Sequence, residues 1–167
     1  MVSVVQVVEL FSYNAWANRK VFSALAALSA KDYTQDLRSS FASLHDTMAH
    51  IVWAEDLWLR RWRGAPPPPV PQGRDLTTLD AVRARWEEVE ASRLAFLAAL
   101  TDAALETALV VRPSAGGEYR HVLRETLLHA VDHSSYHRGQ LVTMLRQLGH
   151  VPPVTGLITF YRERRPA

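Results

Sequence analysis

Apolar residues recur along this chain at helical rather than strand spacing, in four long runs. In the first, Val4, Val8, Phe11, Ala15, Phe22 and Ala26 return on one face, which predicts a helix from about Val4 to Leu28. Asn18 lies on that face and Asn14 flanks it; amides entering a core need specific partners, so the pair either braces the helices or lines a site, and bracing is the simpler role. Ser29 to Ser40 is a polar connection. Ser43 with Asp46 then makes a start signal like a capping box, ahead of Leu44, Met48, Ile51, Trp58 and Trp62, and predicts a second helix ending near Arg63 and Gly64. GAPPPPVPQG follows. Proline cannot continue a helix and favours extended backbone, so this run predicts a long crossing to the third helix. That helix has a cap at Thr77 with Asp80 and a stripe of Leu79, Val82, Trp86, Val89, Leu94, Leu97 and Leu100. A short hairpin from about Thr107 to Tyr119, turning at Ser114 to Gly117, leads to a fourth helix from about His121 to Leu148, stopped by Gly149. Leu157 to Tyr161 makes a short last helix. The expected class is all-α, a four-helix bundle formed as a single domain over residues 1–167.

The fourth run departs from the pattern at His129 to Gln140, HAVDHSSYHRGQ. Leu123, Leu127, Ala130, Leu141, Met144, Leu145 and Leu148 form its apolar stripe, yet Ser134 and His137 lie inside that stripe and His133 at its edge. Imidazoles at i and i+4 stand about 6 Å apart at Cβ and can converge on one ion if another helix supplies a third ligand. The second helix offers His45 and His50, one on each flank of its stripe, and periodicity leaves the choice open. Glu55 falls in the middle of that stripe, where an unpaired carboxylate is costly, and Arg138 falls inside the stripe of the fourth helix. We therefore expect Glu55 and Arg138 to pair across the two helices, the alternative being Glu55 as a metal ligand.

Composition narrows the chemistry. With no cysteine among 167 residues, disulfides, cysteine-ligated zinc and a cysteine nucleophile are excluded together, so any metal falls to His, Asp or Glu. The formal charge is only +2, and the arginine clusters at Arg60, Arg61 and Arg63 and at Arg162, Arg164 and Arg165 do not form a stripe, so no nucleic-acid partner is expected. MVSVVQVVELF lacks a basic leader and is interrupted by Gln6 and Glu9; no membrane association is expected, and the cytoplasm is the default location. No Gly-rich phosphate loop occurs in the sequence.

HIVWAEDLWLRRW at 50–62, DHSSYHRGQL at 132–141, LRQLGHVPP at 145–153 and SYNAWANRKVF at 12–22 together resemble the DinB-like proteins over nearly the whole chain. The resemblance implies an up-down-down-up bundle holding a divalent metal on three histidines, which are His50, His133 and His137 here; His45, His121, His129 and His150 then lie outside the ligand set. It also implies a homodimer and, from some relatives, transfer of a low-molecular-weight thiol. The acidic residue that usually follows the threonine matching Thr155 is Gly156 in this chain.

Three functions are consistent with these residues. The first is a metal-dependent enzyme whose Zn²⁺ or Ni²⁺ has an open position, acting on a small-molecule substrate by thiol transfer or by hydrolysis, with a low-molecular-weight thiol as cosubstrate in the former case. The second is a stress-linked metal-binding or interaction protein without turnover, its ion filled by a fourth protein ligand such as His129 or Glu55. The third is a metal-free bundle whose histidines bond to one another and to Asn14 or Asn18. Asp132 sits beside the histidine ladder on a different face, so no strong general base accompanies the site, which favours thiol chemistry.

Overall fold

Ser3 opens the first helix with a full capping box: its hydroxyl accepts from the Gln6 backbone N–H, and the Gln6 side chain accepts from the Ser3 backbone N–H at 2.9 Å. This helix, α1, is Val4–Leu25. In a computed structural model that describes residues 2–69, 76–113 and 116–165, the polar connection after it carries a short helix, α2, Ala30–Thr34, capped by Ser29. Helix α3, Leu44–Trp62, starts at Ser43 as expected, with Asp46 accepting from the Ser43 hydroxyl at 2.7 Å. Helix α4 is Leu79–Ala98, and its cap is Thr78 rather than Thr77, since the Thr78 hydroxyl accepts from the Ala81 N–H. A 3₁₀ turn, Ala103–Glu106, leads to β1, Ala108–Val111, which pairs antiparallel with β2, Tyr119–Val122. His121 lies opposite Leu109 in that ribbon, so the last long helix, α5, begins at Leu123 and runs to Gln147. Helix α6 is Leu157–Arg164.

Cross-helix contacts fix the topology. His45, Asp56 and Trp62 of α3 meet Leu76, Arg85 and Phe96 in the same order, so α3 and α4 run parallel. Thr47, His50 and Trp62 meet Met144, His133 and Thr126 in reverse order, so α3 and α5 are antiparallel. Phe22 packs on Trp86 while Arg93 lies over Phe11, which sets α1 against α4. The result is the up-down-down-up order implied by the resemblance. Parallel neighbours need a return strap, and the described part of the proline run belongs to it: Pro66 to Pro69 lie in neither helix nor strand, and Trp53, midway along α3, donates its indole N–H to the Pro69 carbonyl at 3.2 Å. Residues 70–73 of that run, and Ser114 and Ala115 of the expected turn, lie outside the described residues. No described helix is long and apolar enough to cross a membrane.

The apolar core divides into two clusters, one containing Phe22, Met48, Trp86 and Leu141, the other Phe11, Leu97, Leu105, Leu127 and Phe160. Along each long helix a polar residue separates them: Asn14 and Asn18, Glu55, Arg93, and Ser134 with Arg138. These side chains form one network. Glu55 accepts from Arg93 at 2.8 Å through one oxygen and from Asn14, Asn18 and Ser134 at 2.7, 3.0 and 2.8 Å through the other.

The expected Glu55–Arg138 pair is therefore incorrect. Arg138 donates instead to the carbonyl oxygens of Asn14 and Asn18, at 2.5 and 2.9 Å, and to Ser135. The two amides stand between the ions and link them, turning N–H toward the carboxylate and C=O toward the guanidinium. The direct counter-ion is Arg93, whose side chain also pairs with Glu90. Residue 93 is on the buried stripe of α4 because it continues the spacing 82, 86, 89, 93, 97; Leu94, assigned to that stripe from sequence, is 55% exposed.

Replacing Arg93 with Met leaves the Glu55 charge buried and uncompensated, and is expected to lower stability by about 3–5 kcal/mol in urea unfolding. Leu94→Ala, on the exposed side, should stay within about 0.5 kcal/mol of wild type. Comparable losses in the two variants would contradict the placement of Arg93 as counter-ion.

Candidate metal centre

Helix α3 brings His50, and one face of α5 brings His133 and His137, to a common point. Nε2 of His133 lies 3.2 Å from Nε2 of His50 and 3.2 Å from Nε2 of His137. Ligand atoms of the three all lie within 4.8 Å of one another, and among the described residues no other His, Asp or Glu joins the group. His137 is buried and the other two half-buried.

The donor set fits a divalent cation. Two nitrogens on a tetrahedral zinc with bonds of about 2.0–2.1 Å stand about 3.3 Å apart, close to the spacing found. Gln140, one turn beyond His137, sits with its carbonyl oxygen 2.8 Å from His137 Nδ1, which fixes a proton on that nitrogen and leaves Nε2 a free lone pair. A proton on His133 Nε2 can serve one neighbour well, whereas a cation satisfies three lone pairs together. Burial, then the positive forms of the neighbouring rings, pushes His133 down to about 4 from 6.5; burial and His137 do the same to His50. Both rings are therefore neutral near pH 7, the form that ligates metal.

Aromatic side chains wall the cluster. Phe41, in the connection before α3, stacks on His50 with ring centroids 4.1 Å apart and meets His137 edge-on. Trp53, held by the proline strap, lies tilted to His50, and Tyr136 stands edge-on to His137. His129 is exposed, against Trp58 and 5.8 Å from the His133 ring centroid.

The remaining histidines have other partners. His45 lies between Asp46 and the Leu76 carbonyl, His121 is on β2 3.5 Å from Glu125, and His150 is 3.2 Å from Asp32. Glu55, the alternative ligand, has both oxygens engaged in the mid-bundle network; burial would raise its pKa, but Arg93 and the amide and hydroxyl donors hold it below the usual carboxylate range. Sequence reasoning missed Phe41, Gln140 and Arg93 as supporting residues. Gln140 had a signal, its i+3 relation to His137, as Arg93 had in the stripe spacing; Phe41 sits in an irregular connection where periodicity has nothing to report.

A family model described as the DinB family matches residues 1–165. The chain belongs to the DinB family. Among DinB relatives, the protein named DinB of Bacillus subtilis is 25% identical over 168 residues, an alignment covering 95% of this chain and 96% of that one. A crystal structure of a DinB-like protein from Bacillus cereus superposes with a TM-score of 0.67 at 20% identity, covering 91% of this chain and 97% of the other. A DinB-like protein from Bacillus subtilis gives 0.65 at 20% identity, covering 87% and 96%, and a conserved protein from Enterococcus faecalis gives 0.66 at 13%, covering 87% and 97%. These structures share the fold.

The depressed histidines make a pH prediction. An unfolded chain binds protons at His50 and His133 as pH falls below about 6.5, while the folded chain does not until about 4, so stability present above 6.5 is lost as pH falls through that window. Thermal melts in the presence of chelator should show the melting temperature dropping between pH 6.5 and 4, and a flatter profile in His50→Asn/His133→Asn. Identical slopes in the two proteins would refute it.

Proposed function

We propose that His50, His133 and His137 hold one divalent cation, zinc or nickel, and that the chain is an enzyme transferring a low-molecular-weight thiol to an electrophilic small molecule. The observation that carries this reading is the convergence of three imidazole nitrogens with no fourth protein ligand among the described residues. All-nitrogen ligation suits zinc and nickel alike. An ion held there would supply Lewis acidity, lowering the pKa of a thiol or water brought to its open position.

The chain's own residues prepare the site in three ways. His50 and His133 are held neutral by burial, His137 is oriented by Gln140, and Phe41 and Trp53 lie against the His50 ring. Hydrolysis at the same position is the second form of this activity, and it asks for a base to take the proton from water. The Glu55 carboxylate, engaged by four donors, is not free to serve, which supports thiol transfer over hydrolysis. The non-catalytic reading, an ion that only braces the bundle, needs His129 or Glu55 in the fourth position; the engagement of Glu55, and the position of His129, exposed against Trp58 and outside the three-histidine group, count against it.

Cobalt-loaded protein titrated with 2-mercaptoethanol tests the proposal. A thiolate-to-metal charge-transfer band should appear in wild type and be absent from His133→Ala/His137→Ala, and thiol consumption with a model epoxide should depend on the same residues. A cobalt spectrum unmoved by thiol would support the bracing role instead. Gln140→Leu, which removes the acceptor at His137 Nδ1, should weaken zinc binding about 10- to 100-fold in competition with a chromogenic chelator; unchanged affinity would contradict the orienting role of Gln140.

A further inference from the structure

Beside the histidine cluster, a cavity of about 360 Å³ runs between the connection preceding α3 and the outer side of α5. Its polar lining is Arg38, Ser39, Tyr136, Gln140, Thr143 and Gln147, and none of its lining residues is acidic. Two other cavities differ in this respect: one pairs Arg19 and Arg83 with Glu87 and Glu90, the other pairs Arg60, Arg63 and Arg85 with Asp56 and Glu88. Among these three cavities, the first alone is lined by an arginine and hydrogen-bonding groups with no carboxylate beside them.

Two of its walls belong to the histidine site. Gln140 accepts from His137 and also donates to Ser40 at 3.3 Å, and Tyr136 stands edge-on to His137 with ring centroids 5.1 Å apart. The connection is held in place as well: the Leu37 N–H donates to the Ala42 carbonyl at 2.8 Å, and two residues after Ser39 comes Phe41, stacked on His50. Arg38 has a φ of 53°, a left-handed conformation that costs a non-glycine residue energy, and its backbone N–H is tied to the Asp36 carboxylate at 2.8 Å. The loop thus carries Arg38 in a defined conformation at the mouth of the cavity.

We propose that this cavity binds the carboxylate-bearing part of an extended small molecule, with the carboxylate on Arg38 and amide or hydroxyl groups along Ser39, Gln140, Thr143 and Gln147. A guanidinium presents a planar fork that matches a carboxylate, and the neutral donors and acceptors beyond it suit a polar, peptide-like body. From Gln147 to Tyr136 the α5 wall extends about 16 Å at 1.5 Å per residue, room for a tripeptide-sized ligand lying along it, with Tyr136, edge-on to His137, at one end. That this ligand is the substrate or cosubstrate rests on the metal-dependent reading above; the binding itself does not.

Calorimetry with S-methylglutathione and its diethyl ester tests the assignment without using the thiol or turnover. The free acid should bind wild type roughly tenfold more tightly than the diester. Arg38→Gln should bind the two probes alike, and Arg38→Lys should keep part of the preference, with zinc content unchanged in both variants as a check that the bundle is intact. The Arg38-dependent preference should persist in metal-free His133→Ala/His137→Ala, which separates this proposal from the metal-site reading. No binding to wild type, equal affinity for acid and diester, a preference surviving Arg38→Gln, or its loss in the metal-free variant would each overturn the proposal.

Discussion

The bundle is organised by one buried carboxylate. Glu55, 3% exposed, draws a donor from every other long helix: Asn14 and Asn18 from α1, Arg93 from α4 and Ser134 from α5. A charge in that position is tolerated only with its hydrogen bonds complete, so the helices are held to the register that completes them. Sliding α5 by one turn, about 5.4 Å, would remove Ser134 from Glu55 and Arg138 from the two amides together. Arg93 and Arg138 each keep a buried Nε without a hydrogen-bond partner, and each guanidinium lies over an aromatic ring of α1, Phe11 at 5.1 Å and Tyr13 at 5.4 Å. Those ring faces offset part of the missing bonds.

This register is what places the histidines. Glu55 follows His50 by about 7.5 Å along α3, and Ser134 directly follows His133 on α5, so the Glu55–Ser134 hydrogen bond and the His50–His133 approach are consequences of the same helix alignment. The network also separates roles that sequence alone leaves mixed. The carboxylate serves the scaffold, and the imidazoles, of which burial keeps His50 and His133 neutral, are bordered by Phe41, Trp53 and Tyr136. Around them the supporting parts come from irregular chain: the connection before α3 supplies Phe41 and Ser40, and the proline strap fixes Trp53.

The helices were legible because each buries a stripe, and the pair His133/His137 was legible because it interrupts one. The choice of His50 over His45 was not, since both flank the stripe of α3; the family resemblance named His50, and the structure brings its Nε2 to the other two. The wrong partner for Glu55 arose from matching charges on the stripes of two helices while overlooking Arg93, which the α4 spacing 82, 86, 89, 93, 97 puts inside. The relay role of Asn14 and Asn18 was beyond reach, because it depends on which way each amide turns. Helix ends failed for local reasons: Thr78 rather than Thr77 has the capping geometry, and strand pairing with Leu109 takes His121 out of α5.

The central claim is that three histidines from two helices form one metal site. Metal analysis by mass spectrometry, on protein purified without a metal-affinity tag, tests it most directly when wild type and His133→Ala/His137→Ala are compared. The account predicts about one zinc or nickel ion per chain in wild type and none in the variant. Wild-type protein that carries no metal and takes up neither ion when it is supplied would contradict it.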